Sequence, residues 1–265
     1  MKQARATVVE RRTLCPALWQ IRVATPDPAK TGRPGQFYLA AGPGYLRRPL
    51  YPARLAAGEL AFLVRADPDP FTAWLAARAP GDELDLIGPF GHGFDAPASG
   101  ERLLLVAETT LDVGPLLPLA DAAVTDGASA ITLLTAATRA AGVFPPRELP
   151  SAVELRVATA DGSLGQRGDV TTLLSDTLPW ADRVCAAGSR GLYRSLYRNL
   201  QTASAGLRHG LSVRGLAQVL LADVPLVCGV GACLACAVQG ERDPRLACVE
   251  GPVFDLSDMA EELAA

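Results

Sequence analysis

The chain has 265 residues, a formal net charge of −3, and 49% hydrophobic against 20% charged residues. That length suggests about two domains with a small appendage. The composition supports a buried core rather than disorder, and an acidic balance without a basic run argues against nucleic acid as a main partner. No apolar run has membrane-spanning length, and the opening Met1-Lys2-Gln3-Ala4-Arg5-Ala6-Thr7-Val8 lacks an apolar export segment. A reduced, cytoplasmic setting for the six cysteines is the expectation.

Residues 6–10 and 19–24 alternate apolar and polar side chains, the pattern of half-buried strands. Residues 35–39 follow Pro34 as a third strand, and residues 60–65 and 83–87 add two more. Residues 71–78 have helical apolar spacing. Short strands with regular turn signals predict a small β-barrel over residues 1–98. The pattern then changes. Strands are predicted at 102–107, 131–136, 153–159 and 183–187, and helices at 114–124, 170–177 and 192–200. Such alternation predicts a doubly wound parallel α/β domain over residues 99–215, with helices on both faces. A further apolar strand is read at 211–213, and a small lobe over residues 216–265. The acidic end, residues 256–265, reads as a short exposed helix or a frayed terminus.

The lobe holds Cys228, Cys233, Cys236 and Cys248, spaced C-x4-C-x2-C with a distant fourth cysteine. This is the plant-type ferredoxin spacing for a 2Fe–2S cluster. Four thiolates must converge on two irons, and three must come from one tight loop. Gly229 and Gly231 let that loop bend and turn N–H groups toward the sulfurs. Zinc competes for such ligands, but closed zinc sites usually use two short C-x2–4-C knuckles. Four unrelated core thiols are the other alternative. Cys185 lies in an apolar run and reads as core, while Cys15 has no evident partner. His92 and His209 read as structural or solvated, and Ser189 and Ser195 lack a nucleophile's setting. No catalytic residue is assigned.

Several motifs stand in one order along the chain. Arg48-Pro49-Leu50-Tyr51 follows the turn Gly42-Pro43-Gly44, and Gly88-Pro89-Phe90-Gly91-His92-Gly93-Phe94 closes the barrel region. Residues 161–171, the Gly231-Ala232-Cys233-Leu234-Ala235-Cys236 core and Gly251-Pro252-Val253-Phe254 complete the set. Together they resemble the ferredoxin-reductase superfamily, in the form of the electron-transfer subunits of dihydroorotate dehydrogenase B. The resemblance spans nearly the whole chain.

That resemblance implies FAD on the barrel. Arg48 would hold the pyrophosphate with its fixed fork, beside Pro49, Leu50 and Tyr51, with Val64, Arg65 and Thr72 contributing. Tyr51 stands where the family has serine. The family's Gly-Glu-Gly-Thr phosphate turn is here Asp67-Pro68-Asp69-Pro70-Phe71-Thr72, whose prolines remove donors and whose aspartates oppose phosphate. Taken without the resemblance, Arg47 and Arg48 are an ordinary solvated basic pair. The α/β domain corresponds to the family's nicotinamide-dinucleotide domain. Its glycine turn has become Glu108-Thr109-Thr110-Leu111-Asp112-Val113, and where its Cys-Gly-Pro follows the last strand this chain has Ala186-Ala187-Gly188-Ser189-Arg190. Weak or absent NAD binding is therefore expected, with the domain retained for packing.

The implied function is an electron-transfer subunit in a hetero-oligomer with an FMN-containing dihydroorotate dehydrogenase catalytic subunit of pyrimidine biosynthesis. Electrons would pass through 2Fe–2S and FAD to an acceptor, with a small carrier such as a ferredoxin or flavodoxin as one candidate. Two alternatives stay open. One is an iron–sulfur wire or scaffold without nucleotides; the other is the reductase component of another complex, such as a hydrogenase.

Overall fold

A computed structural model describes residues 2–26, 32–65, 67–206, 215–259 and 263. The strand read at 211–213, and His209, lie outside them. The N-terminal sheet is built from β1 (Lys2–Cys15), β2 (Leu18–Ala24), β3 (Phe37–Ala40), β4 (Arg48–Leu50), β5 (Pro52–Ala56), β6 (Glu59–Arg65) and β7 (Glu83–Phe90). It is antiparallel, in the order β4-β3-β7-β1-β2-β6-β5. The two edge strands of that order, β4 and β5, are joined through Tyr51 alone. Consecutive Cα atoms are about 3.8 Å apart, so a one-residue link cannot cross a flat sheet. The sheet has to roll until its edges meet, as the predicted barrel requires.

Ala6, Val8, Ile21, Phe62, Leu84 and Leu86 fill the interior. Register shifts at Val8/Glu10 and Thr13/Cys15 break the alternation of β1, so its full length does not show in the sequence pattern. β4 and β5 each contain a proline, which an edge strand tolerates and a sequence reading takes for a break. Helix α1 (Pro70–Ala76) starts on Asp69, whose carboxylate accepts from Thr72 N–H, and buries Phe71 and Leu75.

The second sheet comprises β8 (Arg102–Ala107), β9 (Ala130–Ala137), β10 (Val153–Thr159), β11 (Gln166–Arg167), β12 (Arg183–Ala187) and β13 (Ala217–Leu220). After the hairpin β14 (Ala237–Gln239) and β15 (Pro244–Leu246), β16 (Val253–Asp255) returns to its edge, giving the order β11-β10-β9-β8-β12-β13-β16. The chain starts in the middle at β8, winds outward to β11, then crosses to β12 on the other side. This is the doubly wound arrangement, with one amendment: β16 runs antiparallel to β13. Thus the segment read as a separate lobe from residue 216 lends two strands, β13 and β16, to the α/β sheet, pairings made over too few residues to leave a periodic pattern.

Helices α2 (Leu117–Thr125), α3 (Leu174–Thr177) and α4 (Arg190–Gly206) cover the sheet. Leu103, Leu105 and Ala107 of β8 pack with Leu116 and Leu119 on one face. Leu104 and Val106 pack with Leu174, Leu192 and Leu196 on the other. Successive residues of a strand point to opposite faces, and here both faces are buried.

The tail departs from expectation. Leu256, Met259 and Leu263 are buried, and the Arg194 guanidinium donates to the Leu263 carbonyl. Among the described residues no helix is long and apolar enough to cross a membrane.

Candidate functional site

The cluster loop runs from Cys228 to the start of β14. Gly229 (φ +72°) and Gly231 (φ +77°) adopt the left-handed conformation there. This turns Gly231 N–H onto Cys248 Sγ at 3.2 Å, while Cys248 N–H reaches Cys236 Sγ at 3.4 Å. N–H groups of Val230 and Cys233, then the Cys233 thiol, pull the Cys228 pKa down to about 6. Burial, then the Cys236 thiol, pushes Cys248 up to about 12. The Cys233 thiol thus lies within hydrogen-bonding reach of Cys228 and the Cys236 thiol within reach of Cys248, and Cys248 also feels the charge of Cys228, so the four thiols share one neighbourhood. All are free cysteines, with Cys233 exposed and Cys236 and Cys248 buried. Among the described residues no three His, Cys, Asp or Glu side chains close on a single ion. Four thiols gathered at one loop suit two bridged irons, each of which would take two protein thiolates.

The glycine-rich segment at the end of β7 seats this lobe on the barrel. A Cβ at Gly91 (φ +75°) would stand 2.3 Å from the Gly251 carbonyl oxygen. His92 N–H donates to that carbonyl at 2.5 Å, and its Nδ1 lies 3.3 Å from the Glu250 carbonyl. His92 is therefore a structural link, as read from sequence.

Arg48, Pro49, Leu50, Tyr51, Val64, Arg65 and Thr72 line one cavity of about 270 Å³. The sequence placed these residues together through the resemblance, and the fold places them together in space. Its far wall comes from the α/β domain, including Leu111, Asp112, Gly114, Gly188 and Leu220. Neither Leu220 nor the Phe71 ring beneath Arg48 carried a sequence signal. The two neighbouring arginines separate. Arg47 turns inward to the Asp85 carboxylate at 2.8 Å and the Asp85 carbonyl at 2.9 Å. Arg48 stands over the Phe71 ring, 5.6 Å from its centroid, with Asp69 at 3.3 Å.

Two features fit a flavin here. Tyr51 Oη is buried and has no hydrogen-bond partner among the described residues. Burial, then the charge of Asp223, drives its pKa well up, so the phenol remains a donor. β4 also makes ladder hydrogen bonds on one side only, to β3, where the rolled sheet closes. The phosphate end is more contested. Asp69 already accepts from Thr72 N–H at 3.1 Å and pairs with Arg48, and Asp67 pairs with Arg65 at 3.1 Å. A pyrophosphate there has to displace Asp69 from Arg48.

The crevice between the ends of β8 and β12 is bridged by Glu108, which accepts from the Ser189 hydroxyl at 2.9 Å and from Ser189 N–H. Cys185 is fully buried within β12, as read. Cys15 is half-buried at the end of β1, with its thiol 3.7 Å from the Gly142 carbonyl.

A family model, the iron-sulfur cluster binding domain of dihydroorotate dehydrogenase B, matches residues 225–260. The chain is 32% identical, over 94% of its own length and 95% of the relative's, to the "dihydroorotate dehydrogenase B (NAD(+)), electron transfer subunit" of Geobacillus thermodenitrificans (strain NG80-2). It is 30% identical to the subunit of the same name from Bacillus caldolyticus, over 94% and 95%. In fold it is similar to an NADH-dependent reduced ferredoxin-NADP oxidoreductase, with TM-score 0.79 and 22% identity over 98% of this chain and 92% of that one. It is also similar to the ferredoxin reductase of carbazole 1,9a-dioxygenase, with TM-score 0.68 and 21% identity over 76% and 66%.

Proposed function

Since the chain belongs to the family of dihydroorotate dehydrogenase B electron transfer subunits, we propose that it carries electrons for a dihydroorotate dehydrogenase catalytic subunit, in a hetero-oligomer with it. The observation that carries this reading is the gathering of four thiols at one loop, inside the segment that matches the cluster-binding family. Cys228, Cys233, Cys236 and Cys248 would hold a 2Fe–2S cluster. Arg48, Pro49, Leu50, Tyr51, Val64, Arg65 and Thr72 would hold FAD, with Tyr51 Oη as the donor toward the ring and Arg48 toward the pyrophosphate. The cofactors supply the redox chemistry, and the chain holds, orients and shields them. We divide it into a flavin barrel (1–98), an α/β unit (99–215) and a cluster lobe (216–265) that contributes β13 and β16 to the α/β sheet. A cytoplasmic location fits four ligand cysteines held reduced.

The test is anaerobic purification of the subunit with its catalytic partner, followed by iron, sulfide and flavin analysis and reduction with dihydroorotate. Two irons and two sulfides per chain, one FAD, and bleaching of both chromophores on reduction are the expected results. Absence of iron and sulfide would end the reading. A second reading, a cluster-bearing wire without FAD, draws on Asp69, which occupies both Arg48 and Thr72 N–H. Cluster without flavin in the same assay would select it.

A further inference from the structure

The relatives carry NAD(+) in their name, and an open α/β sheet takes a dinucleotide where its strand order reverses, outside the carboxyl ends of the strands. In this chain that place lies between β8 and β12. A pyrophosphate needs free backbone N–H groups there, and small residues that let it approach. Thr109 N–H is already given to Asp112 Oδ2 at 2.9 Å, and the Thr109 hydroxyl to the same oxygen at 2.7 Å. Ser189 N–H, at the head of α4, is given to the Glu108 carboxylate, and the Ser189 hydroxyl to its other oxygen at 2.9 Å. Gly188 N–H is given to Tyr193 Oη at 2.9 Å, and that hydroxyl in turn donates to the Leu220 carbonyl at 2.5 Å.

Space is closed as well as charge. A Cβ on Gly188 would stand 2.6 Å from Glu108 Cβ, so the ends of β8 and β12 are packed together. Asp112 borders the flavin cavity, Glu108 and Thr109 border a crevice of about 710 Å³ on the other side, and Leu111 borders both. Arg65 also borders both, so a dinucleotide lying in that crevice with its nicotinamide on the flavin would have to run along Glu108–Asp112. Burial, with a further contribution from the charge of Glu108, pushes the Asp112 carboxyl above its usual range.

We infer that Glu108 and Asp112 act as built-in anions that occupy the pyrophosphate position, so that NAD is not the electron acceptor of this subunit. The inference rests on the electron-transfer reading and concerns where electrons leave, not how they arrive. An acceptor must reach the flavin without entering this crevice.

The experiment uses the complete anaerobic complex. Reduction by dihydroorotate tests the electron-transfer reading and involves no NADH, so failure there is distinct from failure here. Calorimetric titration with NADH should show no saturation below about 1 mM, against the micromolar range of a working site. NADH should also leave the oxidised flavin unreduced. Micromolar binding or rapid flavin reduction overturns the inference. A Glu108→Gly/Asp112→Gly variant that folds should gain NADH affinity by about tenfold or more, because repulsion and bulk are removed together. An unchanged affinity in that variant counts against the two carboxylates. Should it not fold, hydrogen exchange on the wild-type complex decides. The Thr109 and Ser189 amides should be protected, with no change on adding NADH. Fast exchange there, slowed by NADH, overturns the inference.

Discussion

The ring of Phe90, at the end of β7, lies against the backbone of Gly229 in the cluster loop, so that a Cβ on Gly229 would stand 2.8 Å from it. This contact joins the barrel to the loop that holds three of the four cysteines. It is made where the loop takes φ +72°. Gly229→Ala meets both obstacles: a left-handed residue with a Cβ costs about 1–2 kcal/mol, before the clash. We expect iron and sulfide to fall well below the wild-type level and the melting temperature to drop. Phe90→Leu in the same chain should restore part of the loss, since it relieves the clash and leaves the backbone cost. Full iron content in Gly229→Ala would show that the loop is not held this way.

Replacing Cys228, Cys233, Cys236 or Cys248 with serine should each remove the cluster, because all four thiols gather at the one loop. Cys15→Ser is the control, since its thiol lies away from the cluster loop, 3.7 Å from the Gly142 carbonyl. Iron and sulfide analysis of the anaerobic proteins reads this directly. Intact iron in Cys248→Ser, or zinc in place of iron in the wild type, would remove the assignment.

Arg48 and Asp69 should act in opposite directions on flavin binding. Arg48→Ala removes a charge-assisted contact to phosphate, worth about 1.5–3 kcal/mol in general. The lower end is expected, because the Arg48 side chain is 50% exposed and already shared with Asp69. Asp69→Asn keeps an oxygen for Thr72 N–H and releases Arg48, so FAD should bind more tightly. Flavin fluorescence during reconstitution measures both. Tighter binding in Arg48→Ala would show that its guanidinium does not face the phosphates.

Tyr51→Phe removes the buried hydroxyl that lacks a partner among the described residues. Without flavin the variant should be at least as stable as wild type, since an unpaired buried hydroxyl costs about 1–3 kcal/mol. With flavin it should bind FAD less tightly. Thermal melts of apo and reconstituted protein separate the two effects, and equal losses in both would assign Tyr51 a purely structural role.

Asp112 gives a pH dependence of definite sign. Burial raises its folded pKa above the unfolded value of about 3.9. Below that value both states are protonated and nothing is lost. As pH rises, the unfolded chain ionises first, so stability falls until the folded pKa is passed and stays reduced beyond it. Asp112→Asn keeps an acceptor for Thr109 N–H and should be more stable than wild type at neutral pH, with the advantage vanishing below about pH 3.9. Asp182 has the opposite sign. Hydrogen bonds from the Arg102 side chain and N–H hold it down to about 2. Its contribution is present above about pH 3.9 and is lost as pH falls through that lower value. Urea melts across pH read both.

The amino-acid sequence by itself determined whatever depends on neighbours along the chain. The Cys228–Cys248 spacing carried the cluster, because a tight loop with three thiolates needs short fixed intervals. The runs that became β8 and β12 were read to the residue, because strands buried on both faces are continuous apolar stretches ended by turns; β10 was read to the residue as well, from the alternation of a strand with one exposed face. Tertiary structure decided the rest. β4 and β5 exist because β3 and β6 hold them, and three to five residues with a proline carry no period of their own. The tail looked exposed for its acidic residues, but Leu256, Met259 and Leu263 found a core that α4 supplies from elsewhere in the chain. The carboxylates show the division most clearly. Glu108, Asp112 and Asp69 were legible as negative charge in phosphate turns. That Glu108 closes on Ser189, eighty-one residues away, is a pairing set by where β8 and β12 end side by side in the sheet.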